Sequence, residues 1–159
     1  MQPEKRRVVL GLGNLLCRDE GIGIHAVQAL EQACGEQAGF EWVDGGVLGM
    51  SLLPLVEECS HLLVLDAVDA GLPEGSLVEL SKEEIPLFAG IRMSEHQVGF
   101  QDVLGLASLR GNLPEHVRLL GVQPADLSAG MELSREAAAA LPAILERSRA
   151  VISEWGHFS

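Results

Sequence analysis

Tyrosine is absent from the 159 residues, and all aromatics together make up only 4%. A core must therefore be built from Leu, Val, Ile and Ala, which the 47% hydrophobic content supplies. Positive charge is scarce too: 11 Lys and Arg stand against 23 Asp and Glu, a formal net charge of −12. Nucleic acids and anionic membrane surfaces are bound by Lys and Arg that neutralise negative charge, so this balance argues against both partners and favours a neutral or basic one. No segment approaches the roughly 20 apolar residues that a membrane-spanning helix needs.

Cysteine is sparse. Cys17, Cys34 and Cys59 form neither a CxxC pair nor an even set, which predicts reduced thiols buried as small hydrophobes, and a cytoplasmic location, over a disulfide frame. The opening MQPEKRRVVLGLGN has basic residues, but glycines soon break its apolar run and no small-residue cleavage site follows. It reads as a first strand and not as a secretion signal. No serine stands in a GxSxG elbow and no cysteine has a clear histidine partner, so nucleophilic catalysis by Ser or Cys has little support. Repeats, low-complexity tracts and linkers are lacking as well, and one domain over 1–159 is expected from the length.

Short apolar runs bounded by turn residues alternate with stretches of helical period, the pattern of a parallel sheet covered by helices. The expected fold is α/β, a single-domain three-layer sandwich with a mostly parallel twisted sheet of about five strands and helices on both faces. Strands are expected over 6–13, 40–44, 61–71, 75–81 and 117–124, the third being the most apolar and hence central. A helix over about 22–36 places Ile22, Ala26, Val27, Leu30 and Ala33 on one face. A short helix follows Met50, with Pro54 tolerable near its first turn. The segment from Lys82 to Gly99 has no clear period and reads as a loop or lid. A helix over about 98–110 groups Val98, Val103, Leu106, Ala107 and Leu109, and a last one over about 134–155 should kink or restart at Pro142.

The stretch GLGNLLCRDEGIG, residues 11–23, opens like a glycine-rich phosphate cradle. The third glycine of a dinucleotide turn is replaced by Leu16, and Asp19 and Glu20 would stand where phosphates must lie. Like charges about 4 Å apart repel by several kcal/mol at an effective dielectric near 20. A nucleotide is therefore disfavoured, and helix capping is the plain alternative for the acidic pair. Open α/β sheets, however, bind ligands beyond the carboxyl ends of their strands, and acids recur there: Glu20 after the first strand, Asp44 ending the second, Asp66 near the end of the third. An Asp at a buried strand end is costly unless bonded or coordinated. With His96 from the irregular segment, Glu20 and Asp66 could offer two oxygens and a nitrogen to a borderline divalent ion. His25, His61, His116 and His157 fall in a helix, at the opposite strand ends or in the tail.

These motifs together resemble the nickel-iron hydrogenase maturation proteases. VVLGLGNLLCRDEGIGIHAVQAL looks like the family's opening, VDGGVLGMSLLPLV its second motif, LLVLDAVDAG its central strand, and SEHQVGFQDVLGLA its histidine loop and following helix. Val47 stands where the family usually has Thr. The resemblance implies Glu20, Asp66 and His96 as metal-binding and catalytic residues, with Asp44, Gly45 and Gly46 helping to hold the peptide. It implies an endopeptidase that removes the C-terminal extension of a hydrogenase large-subunit precursor after nickel insertion. The nickel would be supplied by that substrate, and cadmium or zinc could occupy the same site. A water activated by the ion, with a carboxylate as general base, is one physical route to cleavage. The rival from another class is a nickel-sensing chaperone or binding module that docks on a hydrogenase subunit without hydrolysis.

Overall fold

The structure is a computed structural model that describes residues 4–35, 39–46, 49–85 and 95–156. β1 (Arg6–Leu12) is an apolar run without alternation, and Val8, Val9 and Leu10 are fully buried, as a strand covered on both faces requires. α1 (Ile22–Cys34) follows and ends where Gly35 takes φ 56°. Next come β2 (Glu41–Gly46), a 3-10 turn (Gly49–Leu52) and α2 (Leu53–Glu58), with Pro54 in the first turn, where no helical N–H is lost. β3 (Cys59–Ala67), β4 (Leu77–Ser81), α3 (Glu95–Leu109), β5 (His116–Val122) and α4 (Arg135–Gly156) complete the order.

One sheet holds the five strands in the order β2-β1-β3-β5-β4. β1, β2, β3 and β5 run parallel, and β4 pairs antiparallel with β5 at one edge. The central place expected for the most apolar strand belongs to β3. On one face Val8, Leu10, Leu62 and Val64 pack with Val56 of α2 and Phe100, Val103 and Ala107 of α3. On the other, Val9, Leu63 and Leu65 pack with Ile22 and Leu30 of α1 and Ile144 and Val151 of α4. These are the three layers of the expected sandwich.

Several local expectations fail for physical reasons. α3 begins at Glu95, so the backbone of His96 lies in the first turn of a helix and not in an irregular segment before one. Leu109 is 88% exposed, because it lies about 120° round the helix from Val103. Ala33 is exposed near the end of α1. Pro142 sits inside a continuous 22-residue helix; its own side is exposed, so water can take the carbonyl it leaves free, while buried Ala140 and Ile144 hold the backbone on course. Of the three cysteines only Cys59 is fully buried, and Cys17 and Cys34 are half-buried.

Candidate functional site

The chain leaves β1 through α1 to reach β2 on one side, then crosses back to β3 on the other. The carboxyl ends of β1 and β3 therefore flank the point where the strand order reverses, the place where open α/β sheets bind ligands. Two of the acids expected at strand ends stand on elements that converge there. Glu20 belongs to a 3-10 turn (Arg18–Gly21) that packs against β3. Asp66 is 1% exposed and lies one step beyond the Gly11 and Leu65 pair. Its Oδ1 accepts the Ala67 N–H at 2.8 Å. By strand alternation it shares a side with Leu62 and Val64, the side covered by α2 and α3.

The glycines make this closeness possible. Gly13 has φ 130°, and a Cβ there would lie 1.7 Å from the carbonyl oxygen of Glu20. A Cβ on Gly23 would come within 2.2 Å of the Leu65 carbonyl oxygen and 2.5 Å of that of Leu12. The glycine stretch thus brings an acidic turn and the start of α1 directly onto the ends of β1 and β3. Arg18, at φ 42°, is the one non-glycine residue with positive φ among those described, so the turn that carries Glu20 is held in a costly conformation.

The second motif joins the same rim. Asp44 is exposed, and its Oδ1 accepts the Gly46 N–H at 2.9 Å, closing an Asx turn in which Gly46 takes φ 51°. The Gly46 carbonyl in turn accepts the Gly13 N–H at 3.0 Å. Gly45 is buried, and a Cβ there would meet Leu10 Cδ1 at 2.7 Å. Asp44, Gly45 and Gly46, the irregular end of β2, are therefore tied to the Glu20 turn through Gly13, with the backbone of Gly45 and Gly46 bare of side chains. The side chain of His96 lies outside those described, and among the described residues no three His, Cys, Asp or Glu side chains form a complete metal site. The start of α3, where its backbone stands, is on the same side of the sheet as Asp66.

Asp19 departs from the capping expectation. The residue before the 3-10 turn is Cys17 and the one before α1 is Gly21, and neither helix start receives a side-chain cap. The Asp19 carboxylate, fully buried, instead accepts the N–H groups of Ala125, Asp126 and Ser134 and the Ser134 hydroxyl, at 2.7–3.0 Å. Burial pushes its pKa up, but the bonds from Ser134, Ala125 and Asp126 outweigh that and hold it below the ordinary carboxylate value. Sequence separations of 106 to 115 residues hid this role.

His61 and His116 stand opposite each other in register at the amino ends of β3 and β5, far from this rim. Their rings stack at 4.4 Å, with Trp155 edge-on to His61 at 5.4 Å. A cavity of about 480 Å³ lined by Ile85, Leu104, Leu113 and Val117 lies beside α3 at the same end of β5, away from the acidic rim. It is apolar and holds none of the expected site residues.

The hydrogenase maturation protease profile matches residues 24–150. The chain is 36% identical to the hydrogenase 2 maturation protease of Escherichia coli K12, over 95% of this chain and 93% of that one. It is 40% identical to the hydrogenase expression/formation protein HupD of Rhizobium leguminosarum bv. viciae, over 97% and 77% of the two chains. Against the 44%-identical HupD of Thiocapsa roseopersicina it spans 58% of that protein's length. The solved structure of the hydrogenase maturating endopeptidase HybD from E. coli superposes with a TM-score of 0.86 at 34% identity, covering 95% of this chain and 94% of that one.

Proposed function

This chain belongs to the hydrogenase maturation protease family and is a peptidase; from that premise we propose that it cleaves the C-terminal extension from a nickel-iron hydrogenase large-subunit precursor once nickel has been inserted. The observation that carries the reading is that the turn bearing Glu20 packs against β3, whose carboxyl end holds buried Asp66, at the switch point between β1 and β3. Two carboxylates in a partly dry cleft repel each other, and a cation relieves that cost. Oxygen donors from both, with the imidazole of His96, suit a borderline divalent ion. The nickel belongs to the precursor, so the site gains its cation only when a loaded substrate docks. Asp44 and the bare backbone of Gly45 and Gly46 hold the peptide beside it. Among the described residues no helix is long and apolar enough to cross a membrane, and the three free cysteines fit a reducing compartment such as the cytoplasm.

The test mixes the purified protein with precursor from nickel-supplied and nickel-starved cells and measures large-subunit mass. Loss of the C-terminal extension from the loaded precursor alone is expected. Equal cleavage of both would defeat nickel gating, and an unchanged mass in both would favour the non-hydrolytic chaperone. Asp66→Asn and His96→Ala should fold and lose more than about 100-fold in processing rate, since even residues that only orient a metal's donors are worth 10 to 100-fold.

A further inference from the structure

Glu20 is one residue from a carboxylate that faces the loop between β5 and α4. The side chain of Asp19 is spent entirely inside the protein: Oδ1 accepts the Ser134 N–H at 2.8 Å, and Oδ2 accepts the N–H groups of Ala125 at 2.8 Å and Asp126 at 3.0 Å and the Ser134 hydroxyl at 2.7 Å. Four donors on one ionised group are charge-assisted bonds, each stronger than its neutral counterpart. All come from the loop between β5 and α4 or from Ser134, which also accepts the Ala137 N–H at 3.1 Å and so begins α4.

The backbone repeats the same fastening. Arg18 N–H donates to the Gly130 carbonyl at 2.8 Å, Gly130 N–H to that of Leu16 at 2.8 Å, and Asp19 N–H to that of Asp126 at 3.0 Å. What these bonds hold is a turn that would not hold itself, since Arg18 occupies the left-handed region at φ 42°. The turn's other side is pressed against Gly13, where no Cβ fits. Glu20 thus sits on a short, strained piece of chain pinned from two sides, with the four bonds to the Asp19 carboxylate doing the side-chain pinning from the β5–α4 side, joined by a longer Arg18–Asp126 ion pair at 3.7 Å.

We propose that Asp19 is the positioning residue for Glu20: it touches no substrate and acts by clamping the Arg18–Gly21 turn to the 125–134 loop, fixing where the Glu20 carboxylate points. The proposal rests on the reading of Glu20 as a cation-facing donor. Its specific consequence is that removing the clamp harms ion binding only while Glu20 has a charged carboxylate to misplace. Asp19→Asn keeps the volume, but its amide group turns two hydrogens toward backbone N–H groups and cannot replace both oxygens.

Cadmium chloride, titrated calorimetrically into the full-length protein, serves as the probe. Asp19→Asn should weaken cadmium binding about tenfold or more in the wild-type background. In a Glu20→Gln background the same change should cost less than about twofold, the signature of one residue acting through the other. Hydrogen exchange should show the Asp19 and Glu20 amides opening faster, with those of β3 unchanged. Unchanged cadmium affinity in Asp19→Asn, or an equal loss in both backgrounds, overturns the proposal and leaves the site assignment intact. Absence of cadmium binding by the wild-type protein overturns the site assignment itself, and the proposal with it. Should Asp19→Asn not fold, Ser134→Ala removes one of the four bonds, and the same comparison must give a smaller loss that again vanishes with Glu20→Gln.

Discussion

Replacing Gly13 with alanine perturbs the junction on which the acidic rim depends. An alanine must adopt φ 130°, which is open to glycine and costs an L residue about 1–3 kcal/mol. Its methyl would begin 1.7 Å from the Glu20 carbonyl oxygen, and real contacts of this kind essentially never fall below 3.0 Å, so backbone must retreat by more than an ångström. Two bonds lie directly in the path of that retreat: Gly13 N–H to the Gly46 carbonyl and Glu20 N–H to that of Cys17, both at 3.0 Å. Losing them costs about 1 kcal/mol each. The sum is a destabilisation of about 3–5 kcal/mol, read as a fall of about 10 °C in Tm for a domain of this size. Gly105→Ala is the control, because a Cβ there meets nothing within 4 Å and the position is an exposed turn of α3. Helix propensity makes that change stabilising by about 0.5–1 kcal/mol. Thermal and urea unfolding of the two variants, followed by circular dichroism, gives the comparison. A Gly13→Ala protein within about 0.5 kcal/mol of wild type would refute the close-approach argument.

Cys17→Ala should keep most precursor-cleaving activity, since no thiol is assigned to the chemistry; complete loss in a folded variant would mean a nucleophile had been overlooked. Ile144→Ala, at a fully buried position between α4 and the sheet, should cost about 2–5 kcal/mol in urea unfolding without changing how cleavage depends on nickel. Burial, then the neighbouring His116 and Arg7, lower the pKa of His61, against a smaller opposite pull from Glu115. The unfolded chain therefore binds more protons, and this part of the stability is present above pH about 6.5 and lost as pH falls below it. His61→Phe, which keeps a ring beside His116 and Trp155, should flatten the dependence of unfolding free energy on pH between 7 and 5.

The sheet was legible because its strands are short apolar runs between turn residues, and β3 could be placed centrally because LLVLDA has almost nothing polar to show to water. The acids at strand ends were legible for the converse reason: Asp66 interrupts an apolar run at the end where ligands bind. What local pattern could not reveal is which residues are brought together by distant chain. Asp19 reads as a cap because capping is the local use of an Asp, whereas its partners lie more than 100 residues away. Periodicity misplaced Leu109 because the face of α3 that meets the sheet is narrower than its apolar content. It placed a break at Pro142 because a proline's cost is local, while the packing of Ala140 and Ile144 that offsets it is not.

The strand order also fixes a timetable for synthesis. β4 has a single neighbour, β5, which is made after it. At about 5–20 residues per second, residues 77–81 leave the ribosome several seconds before the strand they need has been translated. The same delay governs the acidic turn, whose fastenings at Ala125, Asp126 and Ser134 come later still. A nascent chain ending before residue 116 can pair β1 with β2 and β3 and yet lacks the Ala125, Asp126 and Ser134 side of the clamp on the Glu20 turn. The peptidase is thus kept from completing its acidic rim until nearly all of these residues exist, a safeguard written into the connectivity of the sheet.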